Sequence, residues 1–367
     1  MSKERFQSTG KSSFFGDYLY DRIVPQDHFL RQVVPWQRFT YKLVKYYQGQ
    51  ARVGRPPIEP SLLLPMLLLA YLYDLSESDV ERYGSENLPA KYFLGLAVDE
   101  PLPDHSTLTV FKRRILNNGK LRAYTKLLND MVKIAQESGV VFGSVQIIDS
   151  THSVADVNLQ EDDRRQKEGK PRRDPTAQWG VKHTRMVRDE KGHKKKQAVY
   201  FYGYKMHASF NAEAQMITSI EVSPGRRYDG HYLPSLIQSD VAQGLPIQVC
   251  TADRGYDDSD NHFFLHSRGI GNAIRLNHYR TQKKDPHKGV WLELKAQDWY
   301  QPSLDQRYQV ERKFGEAKKQ HGLGRCRYLG LWCYAIQAYM TAMALNLKRL
   351  VRFLTGVPFK GKMPVAV

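Results

Sequence analysis

The sequence is short of cysteine, of acid relative to base, and of long apolar runs. Its 367 residues hold three cysteines, Cys250, Cys326 and Cys333. None form a CxxC pair, which excludes a disulfide framework and a zinc finger and leaves reduced thiols as the reading. The amino terminus, MSKERFQSTGKSS, carries no apolar signal segment. The most apolar run, Leu62–Tyr73, is 12 residues long and is interrupted by Pro65. That is too short to span a bilayer, so it reads as a buried helix and no membrane partner is expected. Acids number 38 against 55 Lys and Arg, a formal charge of +17. A basic excess of this size favours a polyanionic partner, because each cation that meets a phosphate releases condensed counterions.

What is present divides into two regions. Residues 1–140 read as helical, with Pro56, Pro57 and Pro60 punctuating the entry to the apolar run. Ser106–Leu116 opens on a capping serine and places Leu108, Phe111 and Ile115 at helical spacing. The adjacent Lys112, Arg113 and Arg114 suit a nucleic-acid surface, and a helical packing or dimerisation unit suits the region equally. From residue 141 the pattern becomes α/β. Val145–Asp149 (VQIID) and Ile247–Asp253 (IQVCTAD) are short apolar strands that each end in an acid. Ala198–Phe210 and Met216–Val222 read as a strand pair, Ile270–Leu276 as a further strand, and Leu304–Gln320 and Trp332–Phe353 as helices. Asp229 is placed to cap a helix over 230–238, and Gly269 to end one begun at Asp258 and Ser259. The stretch 156–197 reads as a basic surface loop: residues 161–199 hold 13 Lys or Arg against 7 Asp or Glu. Within it Trp179 is available to stack on an unpaired base. Residues 141–355 are expected to form the second domain and 356–367 a tail.

Asp149 and Asp253 stand at the carboxyl ends of their strands, where ligands gather in open α/β sheets. Two such carboxylates on neighbouring strands suit Mg²⁺, a cation that takes oxygen ligands. Each can equally cap a loop. Glu311 lies in RYQVERKFGEAKK, with Arg307 four residues before it and Lys318 seven after. At about 100° per residue the three fall within roughly 40° of one another on a helix. Val310, Phe314 and Ala317 form the apolar stripe beside them. An exposed helix with favourable charge pairs accounts for that segment taken alone.

Taken together and in order, the segments resemble the DDE transposases of bacterial insertion sequences, in the branch whose third acid sits in an Arg-x3-Glu-x6-Lys signature. GRPPIEPSLLLPMLLLAYLYDLSE, NLPAKYFLGL and LPDHSTLTVFKRR are similar to that branch's helical amino-terminal module. IIDST and TADRGYDD resemble the segments bearing its first and second Asp, DPTAQWGVK and YGYKMH the stretch between them, and RYQVERKFGEAKK…GRCRYLG the segment bearing its Glu. Asp149 to Asp253 is 104 positions and Asp253 to Glu311 is 58. One departure is Leu304, where the signature often has a Tyr; Tyr300 and Tyr308 flank it. Glu316 is a rival third acid, with Arg312 four before it, but Leu323 stands where its Lys should be.

The resemblance implies an RNase H-like catalytic domain behind an all-α domain, with Asp149, Asp253 and Glu311 as catalytic metal ligands. Mg²⁺ is the implied ion, with Mn²⁺ able to substitute. The partners it implies are double-stranded DNA, as terminal inverted repeats and target, and further copies of the chain. The location it implies is the bacterial cytoplasm, at the nucleoid. Arg307, Lys318, Lys205, Trp179 and Arg254 are the expected DNA contacts, and His152 is a possible neighbour of the metal. The chemistry implied is cleavage at the element end, then attack of the freed 3′-OH on target DNA, with no covalent protein–DNA intermediate. A nuclease that does not join, and a DNA-binding protein without catalysis, are the alternatives to be separated from it.

Overall fold

A computed structural model describes residues 6–7, 14–32, 39–47, 56–117, 120–188 and 193–359. The chain falls into two compact units, one of residues 1–138 and 340–367, the other of residues 139–339.

The first unit is helical in its described residues. Its helices are α1 (Phe14–Ile23), α2 (Pro60–Leu72), α3 (Glu77–Glu86), α4 (Leu88–Leu94), α5 (Ser106–Leu116) and α6 (Arg122–Glu137). The apolar run does form a buried helix: in α2 every residue but Ser61 is buried, which leaves no polar face. Pro60 opens it where a missing N–H costs nothing, and Pro65 removes one internal hydrogen bond. Asn87 caps α4 by accepting the Ala90 N–H at 3.0 Å, and Gly95 ends it in the left-handed region at φ 72°.

The basic cluster of α5 does not form one DNA-facing patch. Lys112 is buried and paired with Glu77, Arg113 is exposed, and the Arg114 guanidinium lies 4.3 Å from the centre of the Tyr47 ring. Three consecutive helical residues point about 100° apart, so they cannot share a face.

The second unit is built on a six-stranded sheet. Its strands are β1 (Val145–Val154), β2 (Gln178–Arg188), β3 (Lys194–Asn211), β4 (Met216–Pro224), β5 (Val249–Ala252) and β6 (Gly271–Ile274). Tyr204–Asn211 of β3 lies antiparallel between β1 and β4, and β5 and β6 then follow β1 in parallel. The order β4-β3-β1-β5-β6, an antiparallel meander extended by two parallel strands, is an RNase H-like sheet. Its helices are α7 (Leu159–Lys167), α8 (Leu233–Ala242), α9 (Ser259–His266), α10 (Lys288–Lys295), α11 (Tyr300–Asp305), α12 (Tyr308–Gln320) and the start of α13 (Leu331–Thr355). One apolar cluster joins Ile148, Cys250, Ala252 and Ile274 to Leu233, Leu236 and Ile237 of α8 and Leu265 of α9. Another sets Val249 and Ala273 against Tyr300 and Leu304 of α11.

Four features differ from the sequence expectation. The described residues of 156–197 are not a surface loop: they include α7, which Asn158 caps, then β2 and the start of β3. A stretch poor in aliphatics still pairs as strand here because backbone hydrogen bonds to β3 hold it, with little side-chain burial. The helix expected over 304–320 is two helices, α11 and α12, broken at 306–307. Asp229 caps no helix and instead opens a single 3₁₀ turn ahead of α8. The whole of α13 was assigned by sequence to the catalytic domain, but from Met340 it groups with the first unit. A helix whose residues 334–347 are all buried or nearly so carries no polar break at which sequence could divide it.

Candidate active site

Asp149 and Asp253 meet through the register of two parallel strands. Ile148 pairs with Ala252, so the next residues along both strands are the two acids, at the carboxyl end of β5. β1 runs on past that point, paired with β3 and, at Val154, bridged to Arg325. Asp149 Oδ1 accepts its neighbour's N–H, from Ser150, at 2.8 Å. Asp253 Oδ1 accepts the Gly255 N–H at 2.8 Å and so caps the turn Arg254–Tyr256.

Glu311 comes from the first turn of α12, whose Val310, Phe314 and Ala317 are buried as the periodicity predicts. Arg307, just ahead of that helix, sets Nη2 3.8 Å from Asp149 Oδ2 and 3.7 Å from Glu311 Oε1. The guanidinium thus stands beside both carboxylates, with its Nε buried and without a hydrogen-bond partner. Glu311 is the outer member, its side chain 61% exposed against 14% for Asp149. The rival Glu316 turns elsewhere, its Oε2 3.1 Å from Lys313 Nζ, and Leu323 is fully buried.

Burial is the largest influence on Asp149 and pushes its carboxyl up to about 7. Asp253 and Glu311 push the same way, while Arg307 and the Ser150 N–H pull down. Three carboxylates here stand against the single guanidinium of Arg307. An all-oxygen carboxylate set with that excess fits a divalent cation that prefers oxygen ligands. Among the described residues only Glu81, Asp104 and His105, in the first unit, bring three ligand atoms within 4.8 Å of one another. The triad is thus a more open arrangement than a closed cage for one ion.

Two further residues lie near these acids in roles the sequence did not point to. The Tyr256 hydroxyl is fully buried, and its acidity falls well below normal through burial first and then the charges of Asp149, Asp229 and Asp253. Asp229 accepts the Ser150 hydroxyl at 2.9 Å and the Lys205 ammonium at 2.7 Å. Only long-range pairing across the sheet brings Asp229 there.

The expected DNA contacts separate into two groups. Lys205 turns inward: besides Asp229 it donates to the Arg227 carbonyl at 2.9 Å, so its charge is already matched. His207, from the same strand, is buried, stacks on Tyr232 and shares one hydrogen bond with Ser223 Oγ at 2.8 Å. Burial pushes its imidazole down to about 3, so it is neutral. Trp179 and Arg254 are exposed. The Lys318 ammonium lies 3.5 Å from His152 Nδ1. Burial and the nearby Lys182 push Lys318 down to about 8. His152 packs against Phe201 and is pushed down to about 4, by burial first and then by Lys318 and Lys182. Lys182, the last residue of DPTAQWGVK, therefore belongs beside Lys318.

A family described as "Transposase DDE domain" matches residues 142–347, more than half of the chain. The chain belongs to the DDE transposase family. A second family, described as "Transposase domain (DUF772)", matches residues 18–114, within the helical unit. Members of the DDE family use a divalent metal ion, in keeping with the carboxylate set described above. Among solved structures, a piggyBac transposase synaptic complex with hairpin DNA is 11% identical, covering 95% of this chain and 78% of that one at a TM-score of 0.42. A Mos1 transposase paired-end complex with the left transposon end is 9% identical, covering 88% and 91% at a TM-score of 0.20. A Mos1 mariner paired-end complex with Mn is 11% identical, covering 94% and 93% at 0.21. Overlaps this loose add no detail to the family assignment. Among the described residues no helix is long and apolar enough to cross a membrane.

Proposed function

We propose that this transposase cuts DNA at the ends of an insertion sequence and joins them to target DNA at Asp149, Asp253 and Glu311. The observation that carries the reading is the convergence of those three acids from β1, the end of β5 and α12, with Asp149 pushed up to about 7 by burial and by the other two. Such a set holds Mg²⁺, or Mn²⁺ in its place. A divalent ion bound there supplies Lewis-acid activation of the attacking oxygen and stabilisation of the leaving one. Asp149, on a strand interior to the sheet, gives the site its rigid floor. Asp253 is fixed by the turn it caps, and Glu311 enters from solvent on the first turn of its helix. Arg307 orients Asp149 and Glu311 through its contacts to both. Lys318, which lacks a carboxylate partner among the described residues, holds a DNA phosphate beside the acids, and Arg254 and Trp179 extend that surface. The reaction needs no Ser or Tyr nucleophile, since water and then a DNA 3′-OH attack in turn. The helical first unit serves end recognition or pairing of copies in the bacterial cytoplasm, and the two-ended chemistry calls for at least two copies.

The test is cleavage and joining of a duplex that carries the gene's own flanking ends, with Mg²⁺ or Mn²⁺. Wild type is expected to give metal-dependent joined products, and Asp149→Asn neither cut nor joined DNA while still binding it. Cutting retained by Asp149→Asn removes the assignment of this acid. Cutting without joining identifies a nuclease, and binding without cutting a DNA-binding protein that lacks catalysis.

A further inference from the structure

β2 and β3 pair over their whole shared length, from Gln178 with Gly203 to Arg188 with Lys194. At the root the ribbon is anchored: Gly203 lies where β1, β2 and β3 meet, and a Cβ there would sit 2.0 Å from the Ser153 carbonyl oxygen. Beyond the root it leaves the core. Val181–Met186 and Lys194–Gln197 are all exposed, so both faces of the ribbon meet solvent. A two-stranded ribbon uncovered on both faces buries too little to be there for stability.

Its composition is one-sided. Lys182, Arg185, Arg188, Lys194, Lys195 and Lys196 lie on it, and among the described residues none has a carboxylate partner. Cross-strand pairs share a face, so Trp179, Val181, Met186 and Tyr200 line one side together with Arg188, Lys194 and Lys196. The register shifts between Val181 and His183, which leaves Lys182 as the extra residue of a bulge. Bulges re-aim side chains, and this one brings Lys182 near enough to Lys318 and His152 for its charge to act on both.

We propose that the β2–β3 ribbon is a DNA-gripping arm: it lies along a duplex next to the active site, its lysines on phosphates, with Lys182 and Lys318 clamping the backbone at its root. Duplex DNA is the occupant because the arm offers unpaired cations with aromatic side chains among them, and a two-stranded ribbon fits the major groove. The contacts are to phosphate and sugar, so they position the duplex without reading its sequence. The inference rests on the transposase reading for its DNA substrate but makes a separate demand, since it concerns binding and not chemistry.

The experiment uses the full chain and a generic duplex of about two helical turns, with binding followed by fluorescence anisotropy across a salt series. Two charge-matched variants are compared, K194A/K195A/K196A on the arm and K283A/K284A/K295A on another exposed surface. The arm variant is expected to lower the slope of log affinity against log salt by about 0.9 for each phosphate it no longer neutralises, so by roughly 2–3, and the control to leave it unchanged. Since all six lysines are exposed, both variants should unfold at the wild-type temperature. Equal slopes for the two variants, or an arm variant indistinguishable from wild type, overturn the proposal. If wild type cuts DNA and the slopes match, the arm falls alone. If wild type fails to cut and the arm variant loses its slope, the chemistry falls and the arm stands.

Discussion

In α5 the Lys112 ammonium is turned inward against Glu77, whereas in α12 the Lys318 ammonium is half-buried beside Lys182 and His152. No carboxylate pairs with Lys318 or Lys182 among the described residues. Both helices read as basic in sequence, at KRR and at EAKK. The difference teaches that charge density does not locate a DNA surface; charge left unmatched by the fold does. Lys205 makes the same point, since its neighbour Asp229 has already claimed it.

Lys112→Ala probes the matched side of this comparison and carries the largest expected effect. Removing one partner of a buried pair leaves the other charge uncompensated, at a cost of about 3–5 kcal/mol. The thermal midpoint of unfolding should fall by roughly 6–15 °C, while the salt dependence of DNA binding stays that of wild type. Replacing both partners, with Lys112→Met and Glu77→Leu, should recover most of the loss. A large change in DNA affinity with unchanged stability would reverse the assignment of this lysine.

Lys318→Met probes the unmatched side, with a smaller effect. It should lower the salt slope by about 0.9, the share of one neutralised phosphate. Its effect on the fold should be opposite in sign to that of Lys112→Ala. Lys318 is held down to about 8 from an ordinary 10.5, by burial first and then by Lys182. Between those values the unfolded chain binds more protons, so wild-type stability rises with pH there. Below about 8 the full penalty of the buried cation is present, and Lys318→Met should remove it, raising the midpoint at pH 7. A midpoint that falls instead would mean the ammonium is matched by a group of the fold.

Much of this was legible in the sequence because the period of side chains follows directly from local geometry. The strand before Asp253 and the stripe Val310, Phe314 and Ala317 are local patterns and emerged as read, whereas the strand read as ending at Asp149 starts at Val145 but runs on to Val154. The ribbon was not legible: the bulge at Lys182 puts Trp179 and Val181 out of step with Met186, and cations stand among them, so strand period has no unbroken apolar signal to show. Nor was the place of Asp229, which reaches Ser150 beside Asp149 only through pairing far apart in the chain; Tyr256 lies three residues after Asp253, and only its burial against Asp149 and Asp229 was hidden. The break between α11 and α12 was hidden because Leu304 and Val310 are both buried, which makes the apolar pattern seem continuous.

The most direct test of the account is a titration of the metal-free protein with Mn²⁺, followed by electron paramagnetic resonance, for wild type, Asp149→Asn, Asp253→Asn and Glu311→Gln. Wild type should bind Mn²⁺, and the two Asp variants should each lose at least about tenfold in affinity, a cost of about 1.4 kcal/mol or more. Glu311→Gln, at the exposed edge, should lose less. Wild-type affinity in both Asp variants would contradict the placement of the metal at these acids.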